Sequence, residues 1–124
     1  MKSEFLIKAK DNLNAAQMCF ENGFYDSCAN RAYYAVFHAA IAALADRGIK
    51  RDKIDHKQIQ ADFCEKLIKR QKVYPAQVKS YLMDMQSVRN QADYTTESIS
   101  RNLAHKQINK AKEMILLIER KLEK

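Results

Sequence analysis

The segment YDSCANRAYYAVFHAAIAAL, residues 25–44, is apolar on nearly every face of a helix. A helix on a protein surface carries one apolar stripe, whereas a helix that is apolar all round is surrounded by neighbouring elements. Its many alanines also have the highest helix propensity. Gly48 follows shortly afterwards, and glycine is well suited to end a helix because it tolerates a left-handed backbone. The segment therefore predicts a buried central helix, the second of the chain.

A regular apolar stripe precedes this segment and predicts the first helix, over about residues 3–21. The stripe has the spacing of one helix face, and its members are Phe5, Ala9, Leu13, Ala16 and Phe20. Gly23 then ends the helix and leaves a short turn before the central helix.

Downstream of the central helix, a charged connection at residues 49–55 leads to a third helix. This helix begins near His56, with Asp55 as its N-cap, because a carboxylate can accept a hydrogen bond from the free amides of a first helical turn. Its apolar residues recur every fourth position, and it ends in the basic run at residues 69–72. Cations there suit the negative end of the helix dipole.

Two more helices complete the chain. Pro75 is expected in the first turn of helix 4, a favoured place for proline, and the helix ends near Tyr94. Helix 5 is predicted over about residues 97–122, where Thr95-Thr96-Glu97 restarts the chain with a threonine cap. Its apolar stripe comprises Ile99, Leu103, Ile108, Ala111, Ile115, Ile118 and Leu122.

Five helices joined by short connections predict an all-α, up-and-down antiparallel bundle with helix 2 inside. We expect one domain over residues 1–124, a size typical of a single domain. A fifth helix of about 25 residues would be about 38 Å long, longer than so small a domain needs. This length favours a homodimer in which the helix meets a second copy.

The composition excludes several classes of protein. With only two glycines and one proline, the chain lacks the turn residues that an all-β fold needs. Both glycines lie in the first half, so neither a P-loop nor a Rossmann phosphate loop can be written. The formal net charge of +7 favours a polyanionic partner such as RNA or a nucleotide, although lysine also covers ordinary solvated helix faces.

The cysteines and the start of the chain bear on location. Three cysteines without a Cys-x-x-Cys spacing predict a reducing compartment and no disulfide framework. The charged N-terminal stretch lacks the apolar core of a signal peptide, so we expect a cytoplasmic protein with no membrane partner. The histidines and cysteines are scattered without metal-ligand spacing, and neither a metal site nor a cofactor is expected.

Polar residues interrupt the apolar central helix at Arg31, Tyr34 and His38, which share one narrow stripe. They either make ordinary structural hydrogen bonds, as buried polar groups normally do, or form one wall of a basic cleft. At the end of helix 4, Arg89 and Asp93 are four residues apart and are therefore neighbours on one face. Arg89 is expected to pair with Asp93 or with a phosphate group.

Three parts of the chain together resemble the HEPN family. Residues 27–40 read SCANRAYYAVFHAA, His56 leads the helix that contains Phe63, and residues 89–94 read RNQADY. The resemblance covers roughly residues 12–117 and is to the toxin–antitoxin type, with an Arg-Asn-x-Ala-Asp-Tyr motif.

This resemblance implies an all-α bundle, often dimeric and frequently encoded beside a minimal nucleotidyltransferase as a toxin–antitoxin or defence pair. Many HEPN proteins are metal-independent ribonucleases, whose motif is an arginine, a polar residue and, a few residues later, a histidine at the dimer cleft. Arg89 and Asn90 match the first two positions. In some members a tyrosine near the motif receives AMP from the partner, which makes Tyr94 a candidate for modification.

The third motif position departs from the pattern, because Tyr94 stands where the histidine would be. A histidine, with a pKa of ~6.5, can exchange protons near neutral pH, whereas a tyrosine, at ~10, is poorly suited to this. The catalytic motif Arg89, Asn90 and Tyr94 is thus interpreted as degenerate. Cleavage would need His38 or His56 to reach the same cleft.

Three functions remain open at this stage. The first is an RNA- or nucleotide-associated component of a pair with a minimal nucleotidyltransferase. The second is an active metal-independent endoribonuclease toxin, and the third is a structural or dimerisation module. The predicted site comprises Arg89, Asn90 and Tyr94 with His38 as the substitute acid–base group, and, as binding residues, Arg31, Tyr34, His56 and Asp93.

Overall fold

The computed structural model describes residues 2–50 and 52–123, so Arg51 of the predicted connection and the two terminal residues lie outside it. The described chain forms α-helices and one π-helical segment, with no strand among these residues. The elements are α1 (Lys2–Glu21), α2 (Tyr25–Asp46), α3 (His56–Asp62), the π-helical segment (Phe63–Arg70), α4 (Gln77–Tyr94) and α5 (Arg101–Leu122). This confirms the predicted all-α bundle.

Helix α2 lies at the centre of the bundle, as its apolar sequence predicts. It packs against α1, α4 and α5, and α3 with the π-helical segment covers its remaining side. Most residues of α2 are buried, including Tyr33 and Val36 at 0% exposure. All alanines on α2 except Ala45 are at most 1% exposed, and their small side chains let the neighbouring helices approach closely.

The two glycines end helices where the sequence predicts. Gly23 has a φ of +79° and Gly48 a φ of +77°, the left-handed conformation that favours glycine. After Gly23, the amide of Phe24 donates to the carbonyl of Cys19 at 2.8 Å and closes the turn from α1 to α2. Helix α1 thus matches the predicted helix, and α2 runs on to Asp46.

The predicted third helix is not one continuous α-helix. Asp55 caps α3 as expected and accepts from the amide of Gln58 at 3.0 Å, but from Phe63 onward the chain is π-helical. A strict four-residue spacing drifts by about 40° per step around an α-helix. This drift is small enough for residues four apart to share one face, so the spacing does not distinguish an α-helix from the observed π-helical turns, whose bonds join residues five apart. Phe63 and Leu67 are both at 0% exposure.

Helix α4 begins later than predicted. Pro75 precedes it instead of lying in its first turn, and the N-cap residue is Ala76. The carbonyl of Pro75 still accepts from the amide of Val78 at 3.2 Å, so the proline closes the turn that leads into the helix.

The predicted cap of helix 5 is also wrong. The Thr95 hydroxyl donates to the carbonyl of Gln91 at 2.7 Å and so completes the end of α4 instead of starting α5. The cap of α5 is Ser100, whose hydroxyl accepts from the amide of Leu103 at 3.1 Å. Between the helices, the amide of Ile99 donates to the carboxylate of Asp26 on α2 at 2.8 Å, which holds Ile99 in the core outside the helix.

Candidate functional site

Arg89, on the last turns of α4, is the centre of a polar cluster against α2. Its Nε donates to Oδ2 of Asp93 at 2.9 Å, and its Nη2 donates to the hydroxyl of Tyr34 at 3.0 Å. The guanidinium carbon lies 5.3 Å from the ring centre of Tyr34 and 5.4 Å from that of Tyr94. Only 14% of the Arg89 side chain is exposed, so these contacts hold it in one place.

A second arginine lies close to the Tyr34 ring. The guanidinium carbon of Arg31 is 5.1 Å from the ring centre of Tyr34. Its Nε donates to Oδ1 of Asn30 at 2.9 Å, and Nδ2 of Asn30 donates to Oδ2 of Asp93 at 2.8 Å. Asp93 therefore accepts from both Asn30 and Arg89. We call Asn30, Arg31, Tyr34, Arg89 and Asp93 the arginine cluster; it holds two cations and one carboxylate.

His38 joins this cluster through Asn12 on α1. A guanidinium only donates, so the bond of 2.9 Å from Nη1 of Arg31 identifies the Asn12 atom as its oxygen. The Asn12 amide nitrogen then donates to the carbonyl of Lys8 at 2.9 Å and to Nδ1 of His38 at 3.2 Å. His38 therefore carries its proton on Nε2.

The surroundings of His38 favour its neutral form. Burial lowers the pKa of this imidazole, and the positive charges of Lys8, Arg31 and, when protonated, His56 lower it further. The ring centre of His38 lies 6.2 Å from that of Tyr34, so the imidazole is close to the arginine cluster.

His56 approaches the same cluster from the first turn of α3. Its ring stacks on Phe37 with centres 4.1 Å apart, and its centre lies 5.8 Å from that of Tyr34. The Tyr33 hydroxyl accepts from Nε2 of Gln60 at 3.2 Å, which leaves its own proton to donate to Nδ1 of His56 at 2.8 Å. Burial and the charge of Arg89 lower the pKa of His56, with Asp55 acting in the opposite direction.

Asn90 and Tyr94 lie at the rim of the cluster. Oδ1 of the exposed Asn90 accepts from Nη1 of Arg89 at 3.3 Å. The Tyr94 hydroxyl accepts from Nη2 of Arg89 at 3.4 Å, while 71% of the residue is exposed.

The structure thus brings together all eight residues of the predicted site: Arg31, Tyr34, His38, His56, Arg89, Asn90, Asp93 and Tyr94. The third histidine, His105, is not among them, because it lies on α5 against Phe20, with ring centres 5.5 Å apart.

Sequence reasoning missed the residues that connect the others. The links between α1, α2, α3 and α4 are supplied by Asn12, Asn30, Tyr33 and Gln60. Asn30 could have been found as a further polar side chain in the apolar central helix. Nothing in the sequence of α1 distinguishes Asn12 from the other polar residues on that helix.

An open groove adjoins the cluster. It has a volume of about 590 Å³ and runs between α1, the first half of α2 and the end of α4, with Asn30, Arg31 and Asp93 on its wall. The guanidinium group of Arg31 on this wall provides planar, directional donors that suit a phosphate. Within the described part of the chain, no group of three or more His, Cys, Asp or Glu side chains is placed to hold a metal ion.

Comparison with known proteins gives two findings. The HEPN domain model matches residues 3–121 of this chain. A protein of Methanocaldococcus jannaschii named "Putative toxin MJ0605" is 44% identical over 45 residues. That match covers 36% of this chain and 34% of the other protein, about a third of its length.

Proposed function

Because the chain belongs to the HEPN domain family, we propose that it is a toxin-type member that binds RNA or a nucleotide through its arginine cluster. The observation that carries this proposal is the placement of Arg31 and Arg89 near the same tyrosine ring, with Asp93 as the carboxylate between them. The excess positive charge favours an anion, and a guanidinium binds phosphate oxygens with two parallel hydrogen bonds.

The distribution of charge supports a polyanion in preference to a small anion. Residues 47–72 contain nine Lys and Arg against four Asp and Glu, a net of +5 out of the +7 of the whole chain. His56, which approaches the arginine cluster, lies within this basic stretch. The stretch that carries most of the excess positive charge thus adjoins the cluster at His56, and an excess of positive charge strengthens binding to the phosphates of a nucleic acid.

The test is RNA binding by the wild type and by Arg89→Gln, with Arg120→Gln on α5 as a control that removes the same charge elsewhere. Hydrogen bonds to charged groups contribute ~1.5–3 kcal/mol, so Arg89→Gln is expected to lose about tenfold or more in affinity. Thermal melting of each variant checks that the fold persists. Equal affinities for Arg89→Gln and Arg120→Gln would contradict the proposal.

A minimal nucleotidyltransferase is the proposed protein partner, on the strength of the family resemblance and the toxin-named relative. Tyr94 is the proposed acceptor of AMP from such a partner, since its hydroxyl is on an exposed residue. Co-expression with a nucleotidyltransferase encoded next to this gene, followed by intact-mass analysis, tests both ideas. An unmodified mass in the wild type would remove Tyr94 as an acceptor.

A second candidate function is metal-independent cleavage of RNA, which the positions of His38 and His56 favour. In such a reaction, a base removes the proton from the ribose 2′-hydroxyl and the 2′-oxygen attacks the phosphorus. An acid then protonates the departing 5′-oxygen, and a 2′,3′-cyclic phosphate remains. His38 and His56 both lie beside Tyr34. To act as the base, one of them in its neutral form would have to release its Nδ1 from Asn12 or Tyr33, and the other would have to be protonated to act as the acid.

Incubation with total RNA in EDTA separates this candidate from binding alone. Cleavage is expected from the wild type and not from Arg89→Ala. Loss with His38→Gln or with His56→Gln identifies the histidine that supplies the proton-transfer group. Binding without cleavage would leave the protein as an RNA-associated component. The absence of both would favour the third candidate, a structural or dimerisation module.

A further inference from the structure

Tyr94 combines an exposed ring with a fixed position at the edge of the arginine cluster. The residue is 71% exposed, the highest exposure among the large apolar and aromatic residues that the structure records as exposed. Single exposed apolar residues are ordinary on protein surfaces. This one differs because its ring lies 5.4 Å from the guanidinium carbon of Arg89, the residue at the centre of the cluster.

The backbone on both sides of Tyr94 is held in place. Asp93, directly before it, accepts hydrogen bonds from Asn30 and Arg89. Thr95, directly after it, donates through its hydroxyl to Gln91 at 2.7 Å and accepts from the amide of Glu97 at 3.2 Å. The aromatic ring of Tyr94 therefore projects from a short segment in which both neighbouring residues are held by hydrogen bonds.

The bond to Arg89 does not by itself account for an aromatic residue at this position. Its length is 3.4 Å, longer than the bonds of 2.9 Å and 3.0 Å that Arg89 makes to Asp93 and Tyr34. Arg89 is thus already held by its shorter bonds. Its guanidinium lies over one face of the Tyr94 ring, and 71% of Tyr94 is nevertheless exposed.

We propose that Tyr94 is a stacking platform for a nucleobase, and that the ligand of the arginine cluster is consequently single-stranded RNA. This inference rests on the proposed function, since it requires RNA at the arginine cluster. Arg89 would contact a phosphate, and the neighbouring base would lie flat on the Tyr94 ring. The bases of a duplex are already stacked on one another, so only a single strand offers a free face to the ring.

Affinity measurements with matched variants test this role. The probe is a fluorescent oligouridine with 2′-O-methyl groups, which cannot be cleaved through the 2′-hydroxyl, used alone and annealed to oligoadenine. Stacking of one base on an aromatic side chain corresponds to about 5- to 150-fold in affinity. Tyr94→Ala is expected to lose an amount in that range for the single strand and little for the duplex, whereas Tyr94→Phe keeps the wild-type affinity.

Phe24 provides the control for a general effect of exposed aromatic residues on RNA affinity. It is 63% exposed, at the start of α2 and outside the arginine cluster, so Phe24→Ala is expected to bind as the wild type does. Equal losses from Phe24→Ala and Tyr94→Ala would overturn the inference.

A tryptophan reporter gives an independent measurement. The chain contains no tryptophan, so Tyr94→Trp introduces one emitting indole at the site. A base stacked on the indole is expected to quench its emission when the single-stranded oligouridine is added, and the duplex is expected to have a much smaller effect. Emission that stays constant at saturating single-stranded RNA would overturn the inference.

The outcomes distinguish this inference from the proposed function. RNA binding that depends on Arg89 but is the same in wild type and Tyr94→Ala overturns the stacking role alone. RNA binding that is absent, or independent of Arg89, overturns both.

Discussion

The side-chain amide of Asn12 connects two residues that lie on another helix. It accepts from Arg31 and donates to His38, and so it determines which nitrogen of the imidazole carries the proton. An amide is suited to this position because it presents an acceptor and a donor at once. Asn12 is therefore a positioning residue, which acts through His38 and Arg31.

Replacement of Asn12 with Asp tests this link. A carboxylate of the same shape has no proton to donate to Nδ1, and its negative charge favours the protonated imidazole. We expect the pKa of His38 to rise in Asn12→Asp, as measured by NMR titration of the three histidine rings. Asn14→Asp, at an exposed position on the same helix, is the control. A His38 pKa that moves equally in the two variants would show that Asn12 has no special contact with the ring.

The lowered pKa values of His38 and His56 predict how stability changes with pH. In the unfolded chain, histidines take up protons at about pH 6.5, whereas in the folded protein these two remain neutral to lower pH. The unfolded state therefore binds more protons in this window, and stability falls as the pH decreases below about 6.5. Above that pH the two histidines are neutral in both states and do not contribute to the dependence of stability on pH.

Thermal melting between neutral and mildly acidic pH measures this effect. The double variant His38→Gln with His56→Gln is expected to show a shallower decrease in Tm than the wild type. His105→Gln, which changes a histidine outside the site, should keep the wild-type slope. An unchanged dependence of Tm on pH in the double variant would show that groups other than these two histidines cause the loss of stability at acidic pH.

The sequence predicted part of the site because helix geometry is local. Arg31, Tyr34 and His38 share a stripe by spacing alone, and Arg89 and Asp93 are neighbours for the same reason. That the end of α4 meets the stripe on α2 depends on how the helices pack, and only the family resemblance pointed to it. Asn12 was missed because a polar residue on an amphipathic helix has no local feature that marks a long-range contact.

Among the secondary-structure elements, the departures from prediction are at the beginnings of helices and in the π-helical segment. Apolar periodicity located every helix, but caps depend on which carbonyl or amide a side chain reaches. Thr95 and Ser100 are both good capping residues by type, and the choice between them follows from the bond of Thr95 to α4. The π-helical turns at Phe63–Arg70 were not predicted, because a four-residue apolar spacing is equally compatible with an α-helix.

Because Ser100 caps α5, its replacement by alanine is expected to destabilise the protein more than the same replacement at a nearby serine. Ser100→Ala removes the acceptor for the amide of Leu103 and is expected to lower the free energy of unfolding by ~1 kcal/mol. Ser98→Ala, in the exposed segment before the helix, is expected to change it by less than ~0.5 kcal/mol. Chemical denaturation of both variants measures the difference, and equal effects would contradict the assignment.

At the scale of the whole molecule, positive charge is concentrated in two parts of the chain. One is residues 47–72, and the other is α5, with six Lys and Arg against two Asp and Glu. The charge therefore lies on elements that surround the central helix instead of within it. Among residues 2–50 and 52–123, no helix is both long and apolar enough to cross a membrane.

The homodimer expected from the length of helix 5 stays a prediction. Helix α5 has 22 residues, which corresponds to about 33 Å, somewhat shorter than anticipated. Light scattering of the purified protein is expected to give twice the chain mass of 14.4 kDa. A mass equal to that of one chain, at the concentrations used for RNA binding, would contradict the prediction.

The most direct test of RNA binding at the arginine cluster is an NMR titration of the histidine rings with single-stranded oligouridine. The wild-type protein carries its own control, because His38 and His56 lie beside Tyr34 whereas His105 packs on Phe20. We predict that the signals of His38 and His56 shift in a saturable manner and that the His105 signal stays in place. A saturable shift of His105 alone, or RNA binding that leaves His38 and His56 unchanged, would contradict binding at this site.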